Sequence, residues 1–196
     1  MSLRRSRSGN NIDSKLLHFL TEISYEEHEA YFPSDLESYL GHSYFRPSSL
    51  EEVQECWKGT IRLIREGRAP REIGLYLHWP FCPSRCLFCF CYMGVPDSTG
   101  ILQRHAQSLR AELTAFAEVF QGVPFTSFYF GGGTPTFMPD AELESILTLV
   151  RRDFPMDPVA DICMEVSPVT VTDNKMDILR AHGINHITLG VQTLDP

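Results

Sequence analysis

The sequence lacks any apolar run near the ~18 residues a membrane-spanning helix needs, and no apolar stretch follows its first arginines as a secretory signal would. Basic residues are scarce: 17 Lys+Arg stand against 25 Asp+Glu, a net charge of −8. Arg4, Arg5 and Arg7 fall within the first ten residues, where there is no acid, so the body is more acidic still. Such a body lacks the basic stripe of a nucleic-acid-binding surface. Internal repeats and low-complexity tracts are also missing. Aromatics, by contrast, make up 11% of 196 residues, which excludes a disordered chain and provides for a real core. Four of the six cysteines lie within ten residues, Cys82 to Cys91. That crowding suits metal ligation in a reducing, cytoplasmic setting better than a disulfide framework.

Residues 1–72 read as a helical and loop-rich segment with a disordered, Arg/Ser-rich start. Ser49 and Glu52 have capping-box spacing and open a helix through Val53, Trp57, Ile61 and Ile64 toward Gly67. From residue 73 the pattern changes. Ile73 to His78 is a strand ended by Pro80, and a helical segment of about twenty residues opens at Ile101. Thr126 to Phe130 is the second strand, Ala141 to Arg151 the second helix, and Asp161 to Val166 the third strand. Thr172 to His182 forms a helix closed by Gly183, and Ile184 to Leu189 the fourth strand. This order predicts an α/β domain with a parallel sheet and right-handed crossovers, whose functional residues gather at the C-terminal strand ends. A parallel sheet wants both faces covered. Residues 73–196 therefore read as the first four strands of a larger domain, and residues 1–196 alone are expected to assemble a cluster loop, to be poorly soluble or self-associating, and not to turn over substrate.

The chemistry-bearing residues follow that rule. After the first strand comes Cys82-Pro-Ser-Arg-Cys86-Leu-Phe-Cys89-Phe-Cys91. Three thiolates in one loop can wrap an iron–sulfur cluster, and three leave one iron of a four-iron cluster open. Zinc is the alternative, with His78 as a fourth ligand, although structural zinc sites usually take two separated pairs. After the second strand comes Gly131-Gly132-Gly133-Thr134-Pro135-Thr136. Without Cβ atoms, such a run admits close approach to backbone; lacking a following Lys-Ser/Thr, it is not a nucleotide P-loop. Glu165 sits near the end of the third strand, where a carboxylate is costly unless it faces a cavity or a partner. His182 and His186 read as packing or surface residues.

The Cys-x3-Cys-x2-Cys spacing resembles that of the radical S-adenosylmethionine (SAM) superfamily. Tyr76-Leu-His-Trp-Pro-Phe-Cys82 is similar to its branch of oxygen-independent coproporphyrinogen III oxidase-like proteins. The resemblance implies a partial (β/α) barrel in which Cys82, Cys86 and Cys89 ligate a [4Fe–4S] cluster. It implies that SAM is cleaved there to a 5′-deoxyadenosyl radical. It assigns SAM contacts to Tyr76, to Phe88 against the adenine, to Gly132, Gly133 and Thr134, to Glu165, and to Gln192 in Leu-Gly-Val-Gln192-Thr. Cys91 is not a cluster ligand by this resemblance. The implied substrate is a small molecule, a porphyrinogen oxidatively decarboxylated in haem synthesis, and the implied electron donor a flavodoxin or ferredoxin. No nucleic-acid or membrane partner is implied. Two alternatives in the same branch are a radical C-methyltransferase and a non-catalytic haem chaperone. Residues 1–72 show no match to the oxidase's Tyr-Thr-Ser-Tyr-Pro-type substrate segment.

Overall fold

The structure is a computed structural model and describes residues 49–89, 91 and 93–191. The expected disordered start lies outside these residues, as does Gln192. The chain divides into two compact units, Met1–Ala69 and Pro70–Pro196.

In the first unit, helix α1 spans Leu50–Arg65. Both halves of its capping box form: the Glu52 N–H donates to Ser49 Oγ at 3.3 Å, and the Ser49 N–H to Glu52 Oε2 at 3.0 Å. Two of the helix's unpaired donors are thereby satisfied. Glu51 and Glu52 in the first turn and Arg62 and Arg65 in the last complement the helix dipole. Ile61 and Ile64 are the buried residues of the helix.

The second unit runs β1 (Gly74–Trp79), α2 (Thr99–Ala117), β2 (Phe125–Gly132), a 3-10 turn (Pro135–Phe137), α3 (Asp140–Asp153), β3 (Met156–Val166), α4 (Asp173–Ala181) and β4 (His186–Leu189). The four strands form one parallel sheet in the order β1-β2-β3-β4. An order that never reverses has every crossover stepping the same way, which puts α2, α3 and α4 on one face. A doubly wound sheet reverses its order and covers both faces. The expectation of a partial (β/α) barrel is therefore met.

Parity along the strands follows from this. Leu77, Phe130 and Met164 are register partners, and Trp79, Phe128 and Val166 share their parity; all are buried on the helix side. Full burial of side chains this large contributes about 2–3 kcal/mol each before entropy is charged. The opposite face carries Tyr76, Tyr129, Cys163 and His186 in one row, and His78, Gly131, Glu165 and Thr188 in the next row toward the C-terminal ends. That polar face positions the site. Leu189 on β4, the outer strand of the described sheet, remains 52% exposed.

Several boundaries shift by one or two residues, β4 beginning at His186 rather than Ile184, and one differs by more. β3 begins at Met156 rather than Asp161. Phe125 pairs with Met156 but Ser127 with Asp161, so β3 carries three more residues than β2 in that interval. The bulge contains Pro158, which has no N–H to give a ladder, beside exposed Val159. Pro and a solvated valine hide a strand from pattern reading. Among the described residues, no helix is long and apolar enough to cross a membrane.

Candidate functional site

The cysteine loop leaves β1 at Pro80 and is tied shut at its root. Phe81 pairs with Gly94, the Cys82 N–H donates to the Gly94 carbonyl at 3.0 Å, and the Gly94 N–H to the Pro80 carbonyl at 2.7 Å. Within the loop, the Cys89 N–H donates to the Cys86 carbonyl at 3.2 Å, making a turn. Cys82 stands half-buried at the root, while Cys86 and Cys91 are exposed. Phe88 is 64% exposed beside Leu87 at the tip. Burial pushes the Cys82 thiol up; a hydrogen bond from Thr134 pulls the other way, and repulsion from Cys89 and Cys86 adds to the rise. Cys86 and Cys89 are thus near enough to act on the Cys82 thiol. Burial likewise pushes the Cys91 thiol up, with Cys89 adding to the rise.

The root is buttressed on the helix side. Trp79 is fully buried, and its ring meets Phe81 and His105 edge-on at 5.3 and 5.4 Å between centroids. Burial holds His105 below the usual histidine range, with His78 acting in the same direction. His105 is thereby favoured as a neutral packing side chain.

The glycine segment lies directly against this root. The Gly133 N–H donates to the Trp79 carbonyl at 2.6 Å, and the Thr134 N–H to the Phe81 carbonyl at 3.0 Å. A Cβ on Gly133 would fall 2.8 Å from the Phe81 carbonyl oxygen, and one on Gly132 (φ +112°) 2.7 Å from that of Trp79. These glycines therefore admit the chain's own backbone, which brings the ends of β1 and β2 into contact. The Thr134 hydroxyl reaches farther and donates to Cys82 Sγ at 3.2 Å.

On the polar face, Glu165 is held by two donors. Tyr129 Oη donates to Oε1 at 2.7 Å, and the Gly132 N–H to Oε2 at 3.1 Å. The missing Cβ of Gly131 makes the room: it would lie 2.6 Å from the Tyr129 ring and 3.1 Å from the Glu165 carboxyl carbon. The Tyr129 phenol is pushed up to about 12 because its O–H donates to the Glu165 carboxylate, so it stays a donor at neutral pH. Tyr76 stacks on Tyr129 at 5.9 Å, and its hydroxyl lies 3.0 Å from His78 Nδ1.

A continuous chain of contacts therefore joins Tyr76, Tyr129, Glu165, Gly132, Gly133, Thr134 and Cys82. Phe88 sits apart on the exposed tip. His182 hydrogen-bonds at the end of α4, to the Ile178 carbonyl and Thr148, and His186 faces Asp161. Sequence reasoning missed Tyr129. Its signal is the alternation Phe128-Tyr129-Phe130, a lone polar tip on the face opposite two buried rings.

The donor set, free thiols gathered in one loop, has the chemistry that holds an iron–sulfur cluster. Among the described residues no three His, Cys, Asp or Glu side chains converge on one ion position. Cys86 and Cys89 lie near enough to act on the Cys82 thiol, and His78 contacts Tyr76.

The fold and site together define a parallel barrel segment with a thiol-rich loop at the end of its first strand. Residues 76–196 match the radical SAM superfamily, and the chain belongs to it. That superfamily works with a [4Fe–4S] cluster and S-adenosylmethionine. The chain is 34% identical over 156 residues to the oxygen-independent coproporphyrinogen III oxidase of Escherichia coli K12, covering 79% of this chain and 34% of the relative. It is 32% identical over 136 residues to the Bradyrhizobium diazoefficiens enzyme of the same name, covering 69% of this chain and 30% of the relative. The solved E. coli coproporphyrinogen III oxidase superposes with a TM-score of 0.61 at 32% identity, covering 69% of this chain and 32% of that one. The chain spans about a third of the length of these relatives. The E. coli match covers more residues than 73–196 can hold, so similarity reaches into the upstream segment, where no matching motif is evident.

Proposed function

We propose that the protein is a radical SAM oxidoreductase of the coproporphyrinogen-oxidase-like branch, acting on a porphyrinogen. Cys82, Cys86 and Cys89 would hold the cluster, with Tyr76, Phe88, Gly132, Gly133, Thr134, Glu165 and Gln192 around SAM. Bound there, the cluster and SAM supply one-electron chemistry that generates a carbon radical, used in this reading to decarboxylate propionate side chains. The observation that carries the reading is the contact chain from Glu165 through the glycine segment to Cys82, which ties a carboxylate acceptor at the end of β3 to the thiol loop at the end of β1 across the end of β2.

The chain's own residues do the positioning. Glu165 presents a carboxylate of fixed orientation, suited to an ammonium or hydroxyl of SAM, because Tyr129 and Gly132 each occupy one of its oxygens. The glycines keep the loop root against β2. Tyr76 places an aromatic ring beside the same carboxylate's phenol partner. A flavodoxin or ferredoxin would deliver the electron, and clustered free thiols suit a reducing cytoplasm. Similarity to oxidases over most of this chain favours them above a methyltransferase or a haem chaperone.

Two outcomes test the reading. Anaerobic reconstitution should load about four irons per chain, as a four-iron cluster requires. SAM should then bind only to cluster-loaded protein, and Glu165→Ala should weaken that binding by about 1–3 kcal/mol, the cost of a lost charged partner. Equal SAM affinity with and without the cluster, measured by equilibrium dialysis, would overturn it. Since these residues are not expected to turn over substrate by themselves, binding of coproporphyrinogen III to the cluster-loaded protein, measured by equilibrium dialysis, tests the substrate.

A further inference from the structure

By resemblance Thr134 belongs to SAM, yet its hydroxyl already has a protein partner. We propose that Thr134 is a positioning residue that raises the cluster's reduction potential by hydrogen bonding to the sulfur of Cys82. The inference deepens the cluster reading above and rests on it.

Thr134 is placed from both sides. Its N–H donates to the Phe81 carbonyl at 3.0 Å, and its own carbonyl accepts from the Phe137 N–H at 2.8 Å as the 3-10 turn begins. Two residues on, Thr136 is fully buried; its hydroxyl lies 2.7 Å from that of Thr170 and accepts from the Ser167 N–H at 3.3 Å, anchoring the turn to the exit of β3. A β-branched side chain on so constrained a backbone has few rotamers. The hydroxyl is thus aimed at Cys82 Sγ, 3.2 Å away, by structure that stands without a ligand.

The placement also distinguishes this sulfur from Cys86. Cys86 lies exposed, where water can bond to it, whereas Cys82 is half-buried at the root and takes its bond from the protein. Reduction adds an electron, and a hydrogen bond to a ligand sulfur strengthens as that sulfur grows more negative. The bond therefore favours the reduced cluster, and its effect is larger where water is excluded.

The test uses wild type, Thr134→Val, which keeps the shape without the hydroxyl, and Thr134→Ser, which keeps the hydroxyl. Each is reconstituted anaerobically and assayed for iron and sulfide. Midpoint potentials are then measured without SAM and again with it by dye-mediated titration, following the reduced cluster's electron paramagnetic resonance signal, the value without SAM being the criterion. Thr134→Val should load its cluster and titrate at a more negative midpoint, with Thr134→Ser returning to the wild-type value. If the valine variant fails to load, Thr134→Ala removes the hydroxyl without that branch and takes the same criterion. A loaded variant without the hydroxyl and with the wild-type midpoint would overturn the inference. So would a shift that appears only with SAM present, since the hydroxyl would then act on SAM. Failure of wild type to load any cluster would instead overturn the function on which the inference stands.

Discussion

Cys86→Ala, reconstituted anaerobically beside wild type, is expected to retain little iron or acid-labile sulfide and to lose the broad visible absorption of the cluster. Cys86 sits in the middle of the loop, and the turn from its carbonyl to the Cys89 N–H organises the ligand behind it. Replacement removes one of three thiolates and leaves an iron without an anchor, because cysteine sulfur is what holds such clusters. Cys86 is exposed and contributes little to packing, so the variant should fold as wild type does. Loss of iron with unchanged thermal unfolding of the cluster-free proteins isolates ligation from stability. Cys91→Ala is the matched control: it removes the neighbouring thiol and should keep the iron. Full iron and sulfide in Cys86→Ala would show that the loop is not the ligand set.

Gly132→Ala should be the most damaging change in the glycine segment. The new Cβ would stand 2.7 Å from the Trp79 carbonyl oxygen and 2.9 Å from the His78 ring, on a backbone whose φ of +112° suits glycine. Backbone strain and overpacking each cost about 1–3 kcal/mol, so a loss of about 2–6 kcal/mol is expected. Gly131→Ala makes the informative comparison. Its Cβ would meet the Tyr129 and Glu165 side chains, which can swing aside, rather than backbone. Gly131→Ala should therefore unfold closer to wild type in denaturant while weakening SAM binding, because the displaced group is the Glu165 carboxylate. Equal stability of Gly132→Ala and wild type would mean that β1 and β2 do not meet as tightly as the 2.6 Å Gly133–Trp79 hydrogen bond requires.

The two predictions draw on different kinds of information. The Cys86 prediction was available from spacing alone, since three thiols in eight residues share a loop whatever surrounds them. Glu165 also stood out locally, as a carboxylate following the apolar Ile162-Cys163-Met164 run at the end of its strand. The Gly132 prediction was not available that way. A glycine run says that something comes close, and the structure shows that it is the backbone of Trp79 and Phe81, more than fifty residues earlier. The same holds for Tyr129, whose partner Glu165 lies 36 residues away.

Local sequence by itself determined the α1 capping box, the alternation of strand and helix, the αL glycine at position 183, with φ +73°, and the membership of the thiol loop. Each depends on side-chain chemistry or periodicity within a few residues. The unreversed strand order of a barrel was implied by the motif resemblance and not by local pattern, whereas tertiary structure alone decided that β3 starts at Met156 around the bulge at Pro158 and that Thr134 meets Cys82. Strand parity is written in the sequence. Register is not: which row of one strand faces which row of the next is set by how each crossover helix packs on the sheet, a sum over many distant contacts.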